Sequence, residues 1–261
     1  MIVDITGVAE IIREAAQAEI LPRFRKLEPH QIREKKPGDL VTEADVEAER
    51  FLTRRLMEVL PGSLVVGEEA TAHDPRVLDG LAGDAPVWVV DPVDGTANFA
   101  RHLPVFGVIV ALTIGGRTVA GWIHDPINDV MATAEVGEGA WLGQRRLSVV
   151  ADGGPLAAMT GSLGHDKNPL ITRAVGRLTR SGSVAHDYIA LAEGRLDFAC
   201  YRRLMPWDHA AGVLLHGEAG GYSALLDGAP YRAQPSMAGL LLAPGMAGWR
   251  ALRDLIGEDS R

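Results

Sequence analysis

The stretch Trp88-Val89-Val90-Asp91-Pro92-Val93-Asp94-Gly95-Thr96-Ala97-Asn98-Phe99 decides how this 261-residue chain is read. The apolar run Val87 to Val90 suits a buried strand, and it delivers Asp91 at its carboxyl end, where α/β proteins place their ligands. Pro92 fixes the turn. Asp94 follows three residues after Asp91, a spacing that returns both carboxylates to one side of a tight turn. Gly95 allows close backbone approach, and Thr96 offers a hydroxyl and an N–H at a helix start, where free N–H groups suit a phosphate dianion. An ordinary Asp-Pro and Asp-Gly turn is spelled with the same letters, so the surrounding chain has to decide between a turn and a site.

Upstream, Val8, Ile11, Ile12, Ala15, Ala16, Ala18 and Ile20 form the stripe of a first helix. A second helix starts at Thr42, carries Val46, Leu52, Leu56, Val59 and Leu60, and ends at Pro61-Gly62. Leu64-Val65-Val66 and Val87 to Val90 read as strands. So do Val105 to Ile114, Thr118 to His124 and Val130 to Ala134, joined by turns at Gly115-Gly116 and Pro126 to Asp129. The second half alternates helices over Pro169 to Thr179, His186 to Ala192 and His209 to Glu218 with strands over Leu196 to Tyr201 and Gly239 to Ala243. A helix over Met246 to Ile256 closes the chain. This order predicts layered α/β architecture with sheets covered by helices; it does not yield the strand order.

Three further segments place acids at element ends. Val66-Gly67-Glu68-Glu69 ends an apolar strand with carboxylates. Trp207-Asp208-His209-Ala210-Ala211-Gly212 opens a small-residue helix, where Asp208 could be a simple N-terminal cap. Before the second helix, Thr42 and Asp45 have the spacing of a capping box, which would account for Asp45 without any chemistry.

Composition narrows the partners. Apolar residues at 47% and charged residues at 23% exclude a disordered chain, and a net charge of −8 argues against nucleic-acid binding. Runs such as Arg23 to Lys26 and Arg33 to Lys36 read as solvated faces or local anion contacts. Cys200, the single cysteine, allows no internal disulfide and sits in a buried-strand pattern. Met1 to Glu10 lacks a signal pattern, and the longest apolar run, Leu103 to Ile114, is too short to span a bilayer. A cytoplasmic protein without membrane partners is expected.

Together Gly67-Glu68-Glu69, the Asp91 to Phe99 stretch and Trp207 to Gly212 resemble, in order, the motifs of the inositol monophosphatase family of metal-dependent phosphatases. The resemblance runs from the first helix to about Gly245. It implies an αβαβα sandwich of the inositol monophosphatase and fructose-1,6-bisphosphatase type, with two fused lobes over about 1–145 and 146–261. It implies two or three Mg²⁺ ions, or Mn²⁺, held by Glu68, Asp91, the Val93 carbonyl, Asp94 and Asp208, with Asp91 bridging. Elementary electrostatics agrees, since two carboxylates about 4 Å apart repel by ~4 kcal/mol at an effective dielectric near 20. All-oxygen donors suit those ions better than zinc. Water would attack directly, oriented by Thr96 and Asp45, with Glu69 positioning a further water. Gly95 and Thr96 N–H groups would hold the phosphate. Lithium sensitivity and a homodimer are further family traits.

The alcohol side of the substrate is less determined. Gly182, Ser183 and Val184 correspond to the family's substrate loop, with Val184 in place of a smaller residue. Tyr201 stands where inositol monophosphatases carry an acid, and Arg202 and Arg203 follow it. That departure weakens myo-inositol 1-phosphate as the expected substrate. Arg202 and Arg203 would favour an acidic substrate or a second phosphate, or else lie solvated or at a subunit contact. Related activities act on histidinol phosphate and fructose 1,6-bisphosphate. A non-catalytic metal- or ligand-binding regulator is the alternative of another class. His102, His124, His165, His186 and His209 are expected to be structural or solvent-facing, His186 lying beside the substrate loop.

Overall fold

A computed structural model describes residues 3–150, 154–164 and 166–258. The chain opens with α1 (Ile5–Ala15), continued by a π-helical turn at Ala16–Ile20, and a hairpin of β1 (Ile32–Lys36) and β2 (Asp39–Thr42). Then come α2 (Glu43–Val59), β3 (Leu64–Gly67), α3 (Glu68–His73), β4 (Val87–Asp94) and α4 (Thr96–Ala100). A meander follows: β5 (Gly107–Ile114), β6 (Arg117–Asp125), β7 (Val130–Glu135), β8 (Gly139–Leu142) and β9 (Arg145–Arg146). The rest of the chain holds β10 (Thr160–Ser162), α5 (Pro169–Ala174), β11 (Arg177–Thr179), α6 (Val184–Ala192) and β12 (Phe198–Tyr201). It ends with α7 (Pro206–Glu218), β13 (Tyr222–Leu225), β14 (Leu240–Ala243) and α8 (Met246–Glu258).

Strands β3 to β9 form a seven-stranded sheet in sequence order, antiparallel except for the β3–β4 pair. The five-stranded second sheet has the order β11-β10-β12-β14-β13, with β11, β10 and β12 mutually parallel. The alternation along β4 shows how the layers assemble. Trp88 and Val90 pack with Ile12, Leu52 and Leu56 beneath α1 and α2. Val87 and Val89 point the other way, into a core with Tyr188, Ala211 and Leu215 of α6 and α7. That core continues onto Ala199 and Leu242 of the second sheet, whose outer face (Phe198, Leu241) is sealed by Ile171, Trp249 and Leu252 of α5 and α8. A strand buried on both faces has to be apolar throughout, as β4 is until its carboxylates. The layers therefore run α–β–α–β–α.

Small residues let the central helices lie close. A Cβ on Gly212 would stand 2.2 Å from the Tyr188 ring, so the Ala-Ala-Gly run of α7 answers a packing need. On the other side Trp88 and Trp122 pair at 5.9 Å, and each indole N–H has a partner, Ser63 Oγ at 3.1 Å and Ile5 O at 2.9 Å. Truncating either ring to alanine would cost about 3–5 kcal/mol.

Several expectations need correction. The helix expected over Pro169 to Thr179 stops at Ala174: Val175 turns extended, and Arg177 to Thr179 become β11, paired with β10. The strands expected from Val105 and Leu196 start at Gly107 and Phe198. Of the two readings of Arg33 to Lys36, solvated face or anion contact, Lys35 in β1 follows the second, turning inward to Glu68 and Glu69. His165 lies outside the described residues.

Candidate active site

The site starts where β4 stops being apolar. Asp91 pairs opposite Ile109 and Asp94 opposite Gly107, so three steps on β4 match two on β5. This bulge places both buried carboxylates on one side of the sheet edge. Val93 N–H donates to Asp91 Oδ1 at 3.1 Å, which fixes the turn. Gly95 follows at φ +84°, a left-handed conformation open to glycine, and a Cβ there would come within 3.0 Å of Val105 O. The chain thereby turns directly into α4, with Thr96 at its first position.

Asp45 caps α2 and reaches a second segment as well. Its Oδ2 accepts from Thr42 N–H at 2.9 Å and from Thr42 Oγ1 at 2.5 Å, closing the capping box. Its Oδ1 accepts from Thr96 Oγ1 at 3.0 Å, 51 residues away. Thr96 Oγ1 also lies 3.0 Å from the Val93 carbonyl. Burial pushes the Asp45 carboxyl up to about 7, the Thr42 bonds opposing it.

One turn further along α2, Glu49 receives the Glu69 and Ala70 N–H groups, each at 2.7 Å, and so anchors the start of α3. Glu68 and Glu69 project from that start. Lys35 Nζ donates to Glu68 Oε1 at 2.7 Å and to Glu69 Oε1 at 2.9 Å. Burial alone would lower the Lys35 pKa; the Glu68 and Glu69 carboxylates overcome it and raise it.

Asp208, on the first turn of α7, completes the acidic set. Glu68, Asp91, Asp94 and Asp208 line one cleft of about 270 Å³, together with Val93, Gly95 and Thr96. Burial, then mutual repulsion with Glu68 and Asp94, holds the Asp91 and Asp208 carboxyls well above the usual carboxylate range. Asp94 is raised by burial and held back by its donors: Ser183 Oγ, Ala185 N–H at 2.9 Å and Val184 N–H at 3.1 Å. Among the described residues, no three carboxylate or imidazole groups converge at ligand distance on one point. The physical reason is visible: Lys35 draws Glu68 aside, and both Asp94 oxygens face the α6 N-terminus. In chemistry the set fits a hard divalent cation, with oxygen donors only and crowded charge that protons or cations must offset.

A second cavity of about 560 Å³ adjoins the cleft and shares Asp94, Gly182, Arg203 and Asp208 with it. Gly182, Ser183, Val184 and Tyr201 all line it, so the sequence-predicted substrate residues do come together. Tyr201 presents its ring, its hydroxyl donating to Asp187 Oδ2 at 3.0 Å. Asp187 also accepts from Ser162 and Ser181, a buried hub that the sequence did not reveal. His186 bridges Ser183 Oγ at 3.0 Å and Asp125 Oδ2 at 3.3 Å. His209 is buried against Tyr188 and Tyr201, and His124 is buried beside Asp129. His209 also lines the larger cavity. Lys35 and Glu49 were missed; the one available signal for Glu49 was its place one helical turn after Asp45.

The sequence profile of the Inositol monophosphatase family matches residues 4–258. The chain is 36% identical to an inositol-1-monophosphatase of Rhizobium meliloti (strain 1021), over 89% of this chain and 88% of the relative. To an inositol-1-monophosphatase of Bacillus subtilis (strain 168) it is 34% identical, over 75% and 76%. Its fold resembles that of the solved Thermotoga maritima IMPase TM1415, with a TM-score of 0.83 and 26% identity over 98% and 97% of the two chains.

Proposed function

Because this chain belongs to the inositol monophosphatase family and is a phosphatase, we propose that it hydrolyses a small, inositol monophosphate-like phosphate monoester with Mg²⁺ or Mn²⁺ in the acidic cleft. The observation that carries the reading is the Asp45–Thr96 bond, formed across 51 residues at the rim of that cleft. A helix cap needs only one Asp45 oxygen; the other is spent on a hydroxyl beside four carboxylates.

Glu68, Asp91, Asp94, Asp208 and the Val93 carbonyl would hold the cations, two or three in number. Bound there, divalent ions would supply acidification of the attacking water and neutralisation of charge on the leaving oxygen. Thr96, its hydrogen directed to Asp45, keeps lone pairs to accept a hydrogen bond from that water. Asp45 stabilises the proton released toward Thr96, and its raised pKa suits a group that holds a proton near neutrality. Gly95 and Thr96 N–H groups would face the phosphate, and Glu69 would position a further water. The bond from phosphorus to the water oxygen forms, the bond to the alcohol oxygen breaks, and a proton passes to the alcohol. Gly182, Ser183, Val184 and Tyr201 would contact the alcohol portion.

The same reading carries a division into lobes near residue 145, a cytoplasmic homodimer and inhibition by lithium. No helix among the described residues is long and apolar enough to cross a membrane. The test is phosphate release from inositol 1-phosphate with Mg²⁺, after chelation, and with added Li⁺. Magnesium-dependent release is expected. Release that persists after full chelation would reject the metal assignment, and none under any condition would reject the substrate class.

A further inference from the structure

Resting on the phosphatase reading, we propose that the substrate carries a second anionic group, a phosphate or a carboxylate, held by Arg202 and Arg203 in the larger cavity. Strands β10, β11 and β12 run parallel, so their carboxyl ends open on one side, where α/β sheets bind ligands. Ser162 ends β10, Arg180 follows β11, and Arg202-Arg203 follow β12; all four line the cavity of about 560 Å³. Arg203 lines the acidic cleft as well, so one substrate can reach both places.

Hydrogen-bonding capacity decides what that substrate is. A polyol is recognised by open acceptors, carboxylates above all. Here Asp187 already accepts three hydroxyls, from Ser162, Ser181 and Tyr201. Asp94 accepts from Ser183, Val184 and Ala185. Asp166 lies 3.7 Å from Arg202 Nε, too long for a hydrogen bond, and is exposed at the rim. Asp187 and Asp94 are thus committed and Asp208 is assigned to the cations of the cleft, which leaves Asp166 at the rim, whereas Arg202 and Arg203 are exposed donors suited to bidentate anion binding. Leu163, Val184, Met237 and the Tyr201 ring supply apolar walls for the body between the two charges. The same cations disfavour an ammonium such as that of histidinol phosphate.

Matched pairs test this: fructose 1-phosphate against fructose 1,6-bisphosphate, and glycerol 3-phosphate against 3-phosphoglycerate, with inositol 1-phosphate alongside, all with Mg²⁺. The second anion is expected to raise kcat/KM at least about tenfold in one pair or both; which pair responds identifies phosphate or carboxylate. That advantage should shrink in high salt, as the screening length falls from about 10 Å at 0.1 M to about 3 Å at 1 M. In an Arg202→Gln/Arg203→Gln variant the ratio should fall toward 1. Equal kcat/KM within both pairs, or a ratio that survives the double substitution, overturns the proposal. If the double variant fails to fold, Arg202→Gln alone and the salt series on the unaltered protein decide. Turnover of inositol 1-phosphate without any second-anion advantage sinks this inference and spares the phosphatase reading. No Mg²⁺-dependent turnover of any substrate removes both.

Discussion

The two joined cavities are chemical opposites. The smaller is walled by carboxylates that repel one another, a charge pattern that suits cations. The larger is edged by arginines, and two of its carboxylates, Asp94 and Asp187, are already satisfied by hydroxyls and N–H groups. The difference follows from how each is built. The acidic cleft gathers Glu68, Asp91, Asp94 and Asp208 from three separate segments, the β4 bulge and the starts of α3 and α7. The larger cavity is assembled from the carboxyl ends of three parallel strands, and its Asp187 serves as an internal hub. Burying charge costs several kcal/mol unless it is paired, so an acid left without donors marks a place reserved for a ligand.

The contrast can be broken most forcefully at Asp94, which faces both cavities. Asp94→Asn removes one acceptor charge without changing volume; phosphate release should fall by a factor of about 10³ or more while the melting temperature moves little. Near-normal turnover would remove Asp94 from the site. Asp45→Ser separates cap from chemistry, because serine also serves at helix starts. A loss of about 10²–10⁴ in kcat at nearly constant melting temperature is expected, and unchanged kcat would leave Asp45 as a cap alone.

Helix α7 sharpens the comparison, since it begins with Asp208 in the cleft and ends with His216 in the core. Burial pushes the His216 imidazole down to about 4; its Nδ1 lies 2.9 Å from Ser223 Oγ and its Nε2 has no partner among the described residues. The folded state therefore takes up this proton less readily than the unfolded chain, whose imidazole titrates near 6.5. The resulting stability is present in full above that pH and drains away as pH falls toward 4, by about 3 kcal/mol. Urea unfolding at pH 7 and pH 4 should show this loss, and His216→Gln should lack that part of it. The smallest effect is expected at Lys35. Lys35→Met frees Glu68 from its ammonium partner, so half-saturating Mg²⁺ should fall about fivefold, the worth of an ion pair of about 1 kcal/mol; a rise would show that Lys35 assists loading.

Much of the cleft was legible because its acids end strong local patterns. Val87 to Val90 announces a buried strand, and the Asp91–Asp94 spacing is realised as a bulge. For Asp45 the cap does not exclude a second contact, since one carboxylate oxygen takes the Thr42 bonds and the other takes the Thr96 hydroxyl. What escaped was non-local or short. Lys35 lies in a run of charges whose partners are 33 and 34 residues away, and nothing in that run points inward. Strands β10 and β11 hold three residues each, too few to show alternation, and β11 was absorbed into a helical pattern. Strand order rests on pairings between distant segments that periodicity does not encode.

The bonds from Ser183, Val184 and Ala185 to Asp94 join residues 89 to 91 positions apart, and Asn98 reaches Ser181 O across 83. A chain emerging from the ribosome carries the first sheet and Asp91 well before it owns the loop that receives Asp94. Such distant closures come late in folding, because the entropy of the intervening loop has to be overcome first. Turnover is therefore a property of the finished chain, and in a refolding experiment its return should lag behind the recovery of tryptophan burial in the first sheet.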